Sequence, residues 1–148
     1  MITADTNVFV YLWDSDAPAK MQVAQRIVAL RDGGLDLVGL QVIGELQNVL
    51  RRKLRQPAWE AAQNARNLLV TYDSFPPNEA NVSEALSLMA AGRMSYWDAL
   101  LATAARDAGC TVLLTEDLAD GGRLGSLEIV NPFGPSGPSE RSLDLLRL

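Results

Sequence analysis

The first eight residues, Met1-Ile2-Thr3-Ala4-Asp5-Thr6-Asn7-Val8, read as a short apolar strand that runs straight into an acid and two further polar residues. In open parallel sheets, ligands bind in the crevice beyond the carboxyl ends of the strands. Asp5 therefore stands where an α/β chain builds its site. The rest of the sequence alternates in the same way. Val8 to Trp13 read as a short helix, and Pro18 to Arg31 as a longer one stopped by Gly33-Gly34. Leu35 to Leu40 read as a strand, and Val42, Ile43, Leu46, Val49, Leu50 and Leu54 recur at helical spacing. Pro57 opens a helix that runs to about Leu69, and Val70 to Phe75 read as a strand closed by Pro76-Pro77. Asn78 or Asn81 caps a helix ending near Gly92, and Ser95 begins another that stops at Gly109. Thr111 to Thr115 form a compact strand and Leu127 to Val130 a last, edge strand. Such alternation implies an α/β fold with a short, mainly parallel sheet flanked by helices.

The 148 residues suit one domain with a substantial core, and 48% of them are hydrophobic. No apolar run approaches the roughly 20 residues that span a bilayer, so no membrane contact is expected. No basic segment followed by an apolar run and a cleavage site marks the N-terminus, so no signal peptide is expected. The single cysteine, Cys110, cannot pair within the chain and fits a reducing, cytoplasmic setting. Pro132 to Ser139 are rich in Pro, Gly and Ser and read as a linker leaving the domain. Glu140 to Leu148 follow, with four leucines among the last six residues, as either a docked helix or a frayed end.

The chain contains no histidine. That excludes a Ser-His-Asp triad, a Cys-His pair and imidazole acid–base catalysis, and with one cysteine it excludes a Cys/His zinc site. Carboxylates remain, and their hard oxygens suit Mg²⁺ or Mn²⁺. The net charge of −5 argues against broad, nonspecific nucleic-acid binding.

Four acids stand out: Asp5, Glu45, Asp98 and Asp117. Each has a structural reason of its own. Asp5, Thr6 and Asn7 are all good helix caps. Glu45 suits the first turn of a helix, Asp98 lies three residues after Ser95 as in a capping box, and Asp117 lies in a turn. Together they weigh more. Asp5 and Asp117 follow strands directly, and Glu45 and Asp98 fall in helical turns that face the same rim. Their apolar neighbours imply partial burial, which is costly for an unpaired charge. A shared cation would resolve four converging carboxylates, whereas without one their repulsion raises pKa values. Asn7 has two roles open to it, as a cap or as a hydrogen-bond donor to a water or metal-bound carboxylate. Thr115 is either a strand-end threonine or a hydroxyl placed against a substrate phosphate or a neighbouring carboxylate. Period-two alternation sends Glu116 away from Asp117, and Glu116 and Asp120 are left out of the site.

These residues form a pattern. Asp5-Thr6-Asn7-Val8, Glu45-Leu46, Asp98-Ala99-Leu100 with its trailing alanines, Thr115-Glu116-Asp117-Leu118 and Ile129-Val130-Asn131-Pro132-Phe133 occur in that order. In this the chain resembles the PIN-domain ribonucleases, and especially the VapC-like toxins of bacterial and archaeal toxin–antitoxin pairs. The resemblance covers residues 1–133, the expected nuclease domain, and leaves 134–148 as a linker and Leu-rich tail. It implies a three-layer PIN-like fold and metal-dependent hydrolysis of RNA phosphodiesters, leaving a 5′-phosphate and a 3′-hydroxyl. Asp5, Glu45, Asp98 and Asp117 would be the catalytic acids. Asp5 and Asp98 would be the main ligands of Mg²⁺ or Mn²⁺ and Asp117 would assist. Glu45 would be a further ligand or orient the water. A homodimer and a small antitoxin that occludes the pocket are implied partners, besides the RNA. Ala119 and Gly121-Gly122 depart from common members, which often carry glutamine there.

Three other features are open. Arg51, Arg52, Lys53 and Arg55 are either phosphate contacts or a solvated helix end that complements the macrodipole. The tryptophans read as core, with Trp13 or Trp97 at the rim as alternative base-stacking sites. The competing functions are a phosphatase or phosphotransferase with Asp5 as nucleophile, and a PIN-like binding module that has lost turnover.

Overall fold

The computed structural model describes residues 1–30 and 33–146. In chain order its elements are β1 (Ile2–Ala4), α1 (Thr6–Val10), α2 (Pro18–Ala29), β2 (Leu37–Gly39), α3 (Leu40–Arg52) and α4 (Ala58–Thr71). There follow β3 (Asp73–Phe75), α5 (Glu79–Ala90), α6 (Tyr96–Asp107), β4 (Val112–Leu114), β5 (Arg123–Leu124) and β6 (Leu127–Val130). The chain ends in β7 (Phe133–Gly134), β8 (Gly137–Pro138) and α7 (Glu140–Leu146).

The main sheet has the order β1-β4-β6-β5. β1 pairs parallel with β4, Ala4 opposite Leu114, and β4 pairs parallel with β6, Leu114 opposite Val130. β2 and β3 form a second parallel pair. Asp36 joins the two: its amide donates to the Ile2 carbonyl at 2.9 Å and its carboxylate accepts from the Ile2 amide at 2.7 Å. The result is a mainly parallel sheet flanked by helices. β1, β2 and β4 lead toward the segments that carry Asp5, Glu45 and Asp117.

The core explains why these short strands hold. Val8, Phe9, Ile27, Val38, Val42, Leu46, Leu50, Leu113, Leu114, Leu127 and Val130 are fully buried. A parallel strand covered on both faces needs apolar residues at successive positions, and all three residues of β1 and of β4 are buried. α6 packs with small side chains, Ala99, Ala102, Ala104 and Ala105, which let its backbone come close. Gly39 completes that approach. A Cβ added there would lie 2.9 Å from Leu101 Cδ1 and 3.3 Å from the Phe75 ring.

Capping sets the helix boundaries. Ser95 Oγ accepts from the Asp98 amide at 3.1 Å. Asn78 and Asn81 cap α5 reciprocally, each side-chain oxygen accepting the other's amide. Both asparagines named in the sequence therefore act in one cap. Gly109, at φ 87°, stops α6 in the left-handed region that favours glycine.

Several expectations need correction. Helix α1 starts at Thr6 and ends at Val10, because Asp5 rather than a later residue caps it. α2 stops at Ala29, and its expected end at Arg31 lies outside the described residues. α4 continues to Thr71, which shortens the strand expected over Val70 to Phe75 to Asp73–Phe75. β6 is not an edge strand. β5 folds back along it through the two-residue loop Gly125-Ser126, with Gly125 at φ 60° as such loops require. The stretch Pro132 to Ser139, expected as a linker, forms a small antiparallel hairpin in which Phe133 is buried. α7 then docks with Leu146 in the core, while Arg147 and Leu148 lie outside the described residues.

Candidate active site

Four separate segments meet at one cleft of about 630 Å³, lined by Asp5, Asn7, Glu45, Asp98 and Asp117, with Thr6, Gln41 and Asn48 among the polar neighbours. Thr115 lies beneath it, fully buried. Residues far apart in the sequence thus share one surface, and each reaches it for a local reason.

Asp5 ends β1 and caps α1. Its Oδ1 accepts from the amides of Asn7 at 2.9 Å and Val8 at 3.3 Å. Its Oδ2 accepts a hydrogen bond from the Thr115 hydroxyl. The side chain is only 7% exposed. Burial pushes its pKa up to about 7, and the Asp117 charge adds to that. The Thr115 hydroxyl and the two amides oppose the rise.

Thr115 does more than end a strand. The same Oγ1 that donates to Asp5 accepts from the Asp117 amide at 3.1 Å, so one hydroxyl ties two of the acids together. Asn7 is not the cap of α1. Its Nδ2 donates to Asp117 Oδ2 at 2.7 Å and holds that exposed carboxylate against the end of β1.

Glu45 lies in the second turn of α3 and not the first, because the helix begins at Leu40, directly after β2. The macrodipole reading therefore fails for it, since that effect fades within one turn. Two donors hold its carboxylate instead. Thr6 Oγ1 donates to Oε2 at 2.6 Å and Gln41 Nε2 to Oε1 at 2.8 Å. Gln41 also donates to the Trp97 carbonyl at 3.0 Å, which links α3 to α6. In the sequence Thr6 reads only as a helix cap, and Gln41 carries no role. The available signals were the adjacency of Thr6 to Asp5 and the four-residue spacing that puts Gln41 on the Glu45 face of a helix.

Asp98 closes the ring of acids from the first turn of α6. Its carboxylate accepts from Ser95 Oγ at 2.6 Å. Desolvation raises its pKa, as do the charges of Asp117 and Glu45, while the Ser95 hydroxyl lowers it. The field across the cleft is therefore one of like charges, which favours protons or a cation.

The donor set is all oxygen, which fits a hard divalent ion such as Mg²⁺ or Mn²⁺, and the mutual repulsion is what such an ion would relieve. Among the described residues, no three acidic or sulfur ligands form a ready-made metal cage. Each carboxylate is instead held by a donor of its own: Thr115, Asn7, Thr6 with Gln41, and Ser95.

The neighbouring acids have other work. Glu116 accepts from the Tyr11 hydroxyl and pairs with Lys20, on the side away from the cleft that alternation requires. Asp120 accepts from the Asn131 amide at 2.8 Å. In the basic run, Lys53 pairs with the buried Asp14 at 3.1 Å, and Arg51 and Arg52 lie exposed in the last turn of α3. Among the described residues, no lysine or arginine lines the cleft. The expectation that the tryptophans are core fails for two of them, since Trp59 is 73% and Trp97 61% exposed. Trp97 is a wall of the cleft, whereas Trp13 packs against the core.

Against known proteins, a family model described as "PIN domain" matches residues 2–119. Comparison with curated protein sequences found no match. Among solved structures, the chain is similar to VapC20 of Mycobacterium tuberculosis, a toxin that cleaves the sarcin–ricin loop, with TM-score 0.62 and 18% identity over 76% of this chain and 87% of that one. It is also similar to a chain of VapBC-1 from nontypeable Haemophilus influenzae, with TM-score 0.60 and 21% identity over 87% of this chain and 96% of that one. A third similar structure is VapBC2 from Rickettsia felis, bound to a DNA fragment from its promoter, with TM-score 0.59 and 16% identity over 87% and 97%.

Proposed function

The chain belongs to the PIN-domain family, and on that premise we propose that it is a metal-dependent endoribonuclease, the toxin of a type II toxin–antitoxin pair. The observation that carries this reading is the cleft itself: Asp5, Glu45, Asp98 and Asp117 come from four separate segments to one surface, where burial first, and neighbouring like charges second, raise the pKa values of Asp5 and Asp98.

Asp5, Asp98 and Asp117 are the residues that would hold Mg²⁺ or Mn²⁺. A bound divalent ion supplies an activated water, a polarised phosphate and a stabilised leaving oxygen. The protein's own groups do the positioning. The Thr115 hydroxyl fixes Asp5 and, through the Asp117 amide, the turn that carries Asp117. The Asn7 amide group fixes the Asp117 carboxylate. Glu45, clamped at both oxygens by Thr6 and Gln41, keeps lone pairs for a water and can orient it and take its proton. No imidazole is needed, which suits a chain without histidine. The products are a 5′-phosphate and a 3′-hydroxyl.

Use of Asp5 as a phosphate-accepting nucleophile has less support, because that chemistry wants a second carboxylate two residues on as acid and base, and Asn7 stands there with its amide group turned to Asp117. The two VapBC structures support an antitoxin as partner, and a homodimer and a cytoplasmic setting belong to the same reading. No helix among the described residues is long and apolar enough to cross a membrane.

The test is incubation of the purified chain with transfer, ribosomal and messenger RNA, with Mn²⁺ or with chelator, followed by mapping of the ends. Discrete cuts that need the metal and carry 5′-phosphates are expected. Intact RNA under every condition, or cuts that persist in chelator, would overturn the proposal.

A further inference from the structure

The cleft has a second wall that the carboxylate chemistry does not use. Besides the acids it is lined by Leu40, Val49, Trp97 and Leu101, and two of these are unusually open for their size, Trp97 at 61% and Leu40 at 42% exposed. The indole is held in place rather than loose. Its ring meets Tyr96 edge-on with centroids 5.0 Å apart, and its carbonyl accepts from Gln41. A large aromatic kept at the surface of a cleft and anchored at its backbone is suited to a flat partner.

We propose that Trp97, in the cleft that Leu40 also lines, is a stacking platform for an unpaired base of the RNA next to the scissile phosphate. This rests on the ribonuclease reading and names where the base goes. Two observations favour a nucleobase. First, Trp97 precedes Asp98 in the first turn of α6, so a phosphate brought to the acids carries its neighbouring base toward the indole. Second, among the described residues no lysine or arginine lines this cleft, and four carboxylates do. Counterion release cannot then be the local source of affinity. Base–aromatic stacking is independent of backbone charge and accepts any base. The platform therefore selects for a base that has left its stack, as in a loop or single strand, and is blind to its identity.

Binding of an oligoadenosine RNA of about six nucleotides, and of an abasic oligomer with the same sugar–phosphate backbone, tests this by fluorescence anisotropy in Ca²⁺ over a salt series. The wild-type chain should bind the base-bearing oligomer roughly tenfold more tightly than the abasic one. Trp97→Ala should abolish that preference while leaving abasic binding unchanged, and Trp97→Phe should keep most of it. The loss in Trp97→Ala should be the same at low and high salt. Equal wild-type affinity for the two oligomers, or an equal loss for both in Trp97→Ala, would overturn the platform. So would a Trp97→Ala chain that keeps its RNA affinity but no longer binds a protein partner, which would assign the wall to that partner. Metal-dependent cleavage with KM unchanged in Trp97→Ala overturns the platform and leaves the ribonuclease reading intact. Base-dependent binding without any cleavage leaves the platform and overturns the ribonuclease reading.

Discussion

Replacing Asp5 with asparagine removes a charge that folding buries. The carboxyl is 7% exposed, and its pKa rises from 3.8 to about 7, mainly through desolvation. The folded chain holds this proton more tightly than the unfolded chain. Between the two values folding takes up a proton, so this group's contribution to stability is present below the lower value and is lost as pH rises through the upper one. At about 1.4 kcal/mol per pKa unit, the penalty in metal-free protein is about 2 kcal/mol near pH 5 and about 4 kcal/mol near pH 8. Asparagine has the same shape. Its oxygen still accepts from the Asn7 and Val8 amides, and the Thr115 hydroxyl can turn to accept from its Nδ2. In chelator, Asp5→Asn should therefore be more stable than wild type, and the gap should widen by about 2–3 kcal/mol from about pH 5 to about pH 8. Urea unfolding followed by circular dichroism at a series of pH values reads this directly. Asp98, Glu84, Asp107 and Glu128, whose pKa values are also shifted, titrate in both chains and largely cancel in the difference. Saturating Mg²⁺ should narrow the gap, because a cation that binds only the folded wild type stabilises only that chain. A difference that does not change with pH, or an Asp5→Asn chain less stable than wild type near pH 8, would refute this.

Other substitutions probe the surroundings of the site. Thr115→Val keeps the shape but removes the hydroxyl shared by Asp5 and the Asp117 amide, and should destabilise the fold by about 1–3 kcal/mol, read by the same unfolding assay. Gly39→Ala drives a Cβ to 2.9 Å from Leu101 Cδ1 and 3.3 Å from the Phe75 ring, and should cost about 1–3 kcal/mol; stability equal to wild type would show that the Leu101 side chain turns aside freely. Thr6→Val frees one oxygen of Glu45. It should lower kcat for RNA cleavage by roughly tenfold with KM little changed, and a change confined to KM would mean that Glu45 acts in binding.

Much of this architecture was legible because it rests on local chemistry. The apolar run before Asp5, the Ser95 cap three residues before Asp98, and Gly109 at the end of α6 are signals contained within a few residues. The four acids were legible because their places after strands or in helical turns recur along the chain. What escaped depended on pairing across the fold. Leu127 to Val130 read as an edge because Arg123-Leu124 is too short to announce a strand, and only the hairpin through Gly125-Ser126 covers it. The Pro/Gly/Ser stretch looked like a linker because those residues mark turns, and a two-residue hairpin is made almost entirely of turn. Thr6 holds a carboxylate 39 positions away, which no local signal announces. Gln41 lies only four residues from Glu45, and for Asn7 the sequence leaves the role of donor to a carboxylate open beside that of cap. For Trp97 the sequence leaves both core and rim open, since large aromatics are usually buried; the structure places it at the cleft, as the rim alternative has it.

The carboxylate cleft as a divalent-cation site that cuts RNA is tested most directly by Mn²⁺ titration of wild type and Asp98→Asn, with calorimetric binding and RNA cleavage read on the same samples. Wild type should bind Mn²⁺ and cut RNA in step with occupancy. Asp98→Asn should remain folded, bind the ion far more weakly and cut at least about 100-fold more slowly. Equal binding and equal cleavage by a folded Asp98→Asn chain would contradict the assignment of these acids.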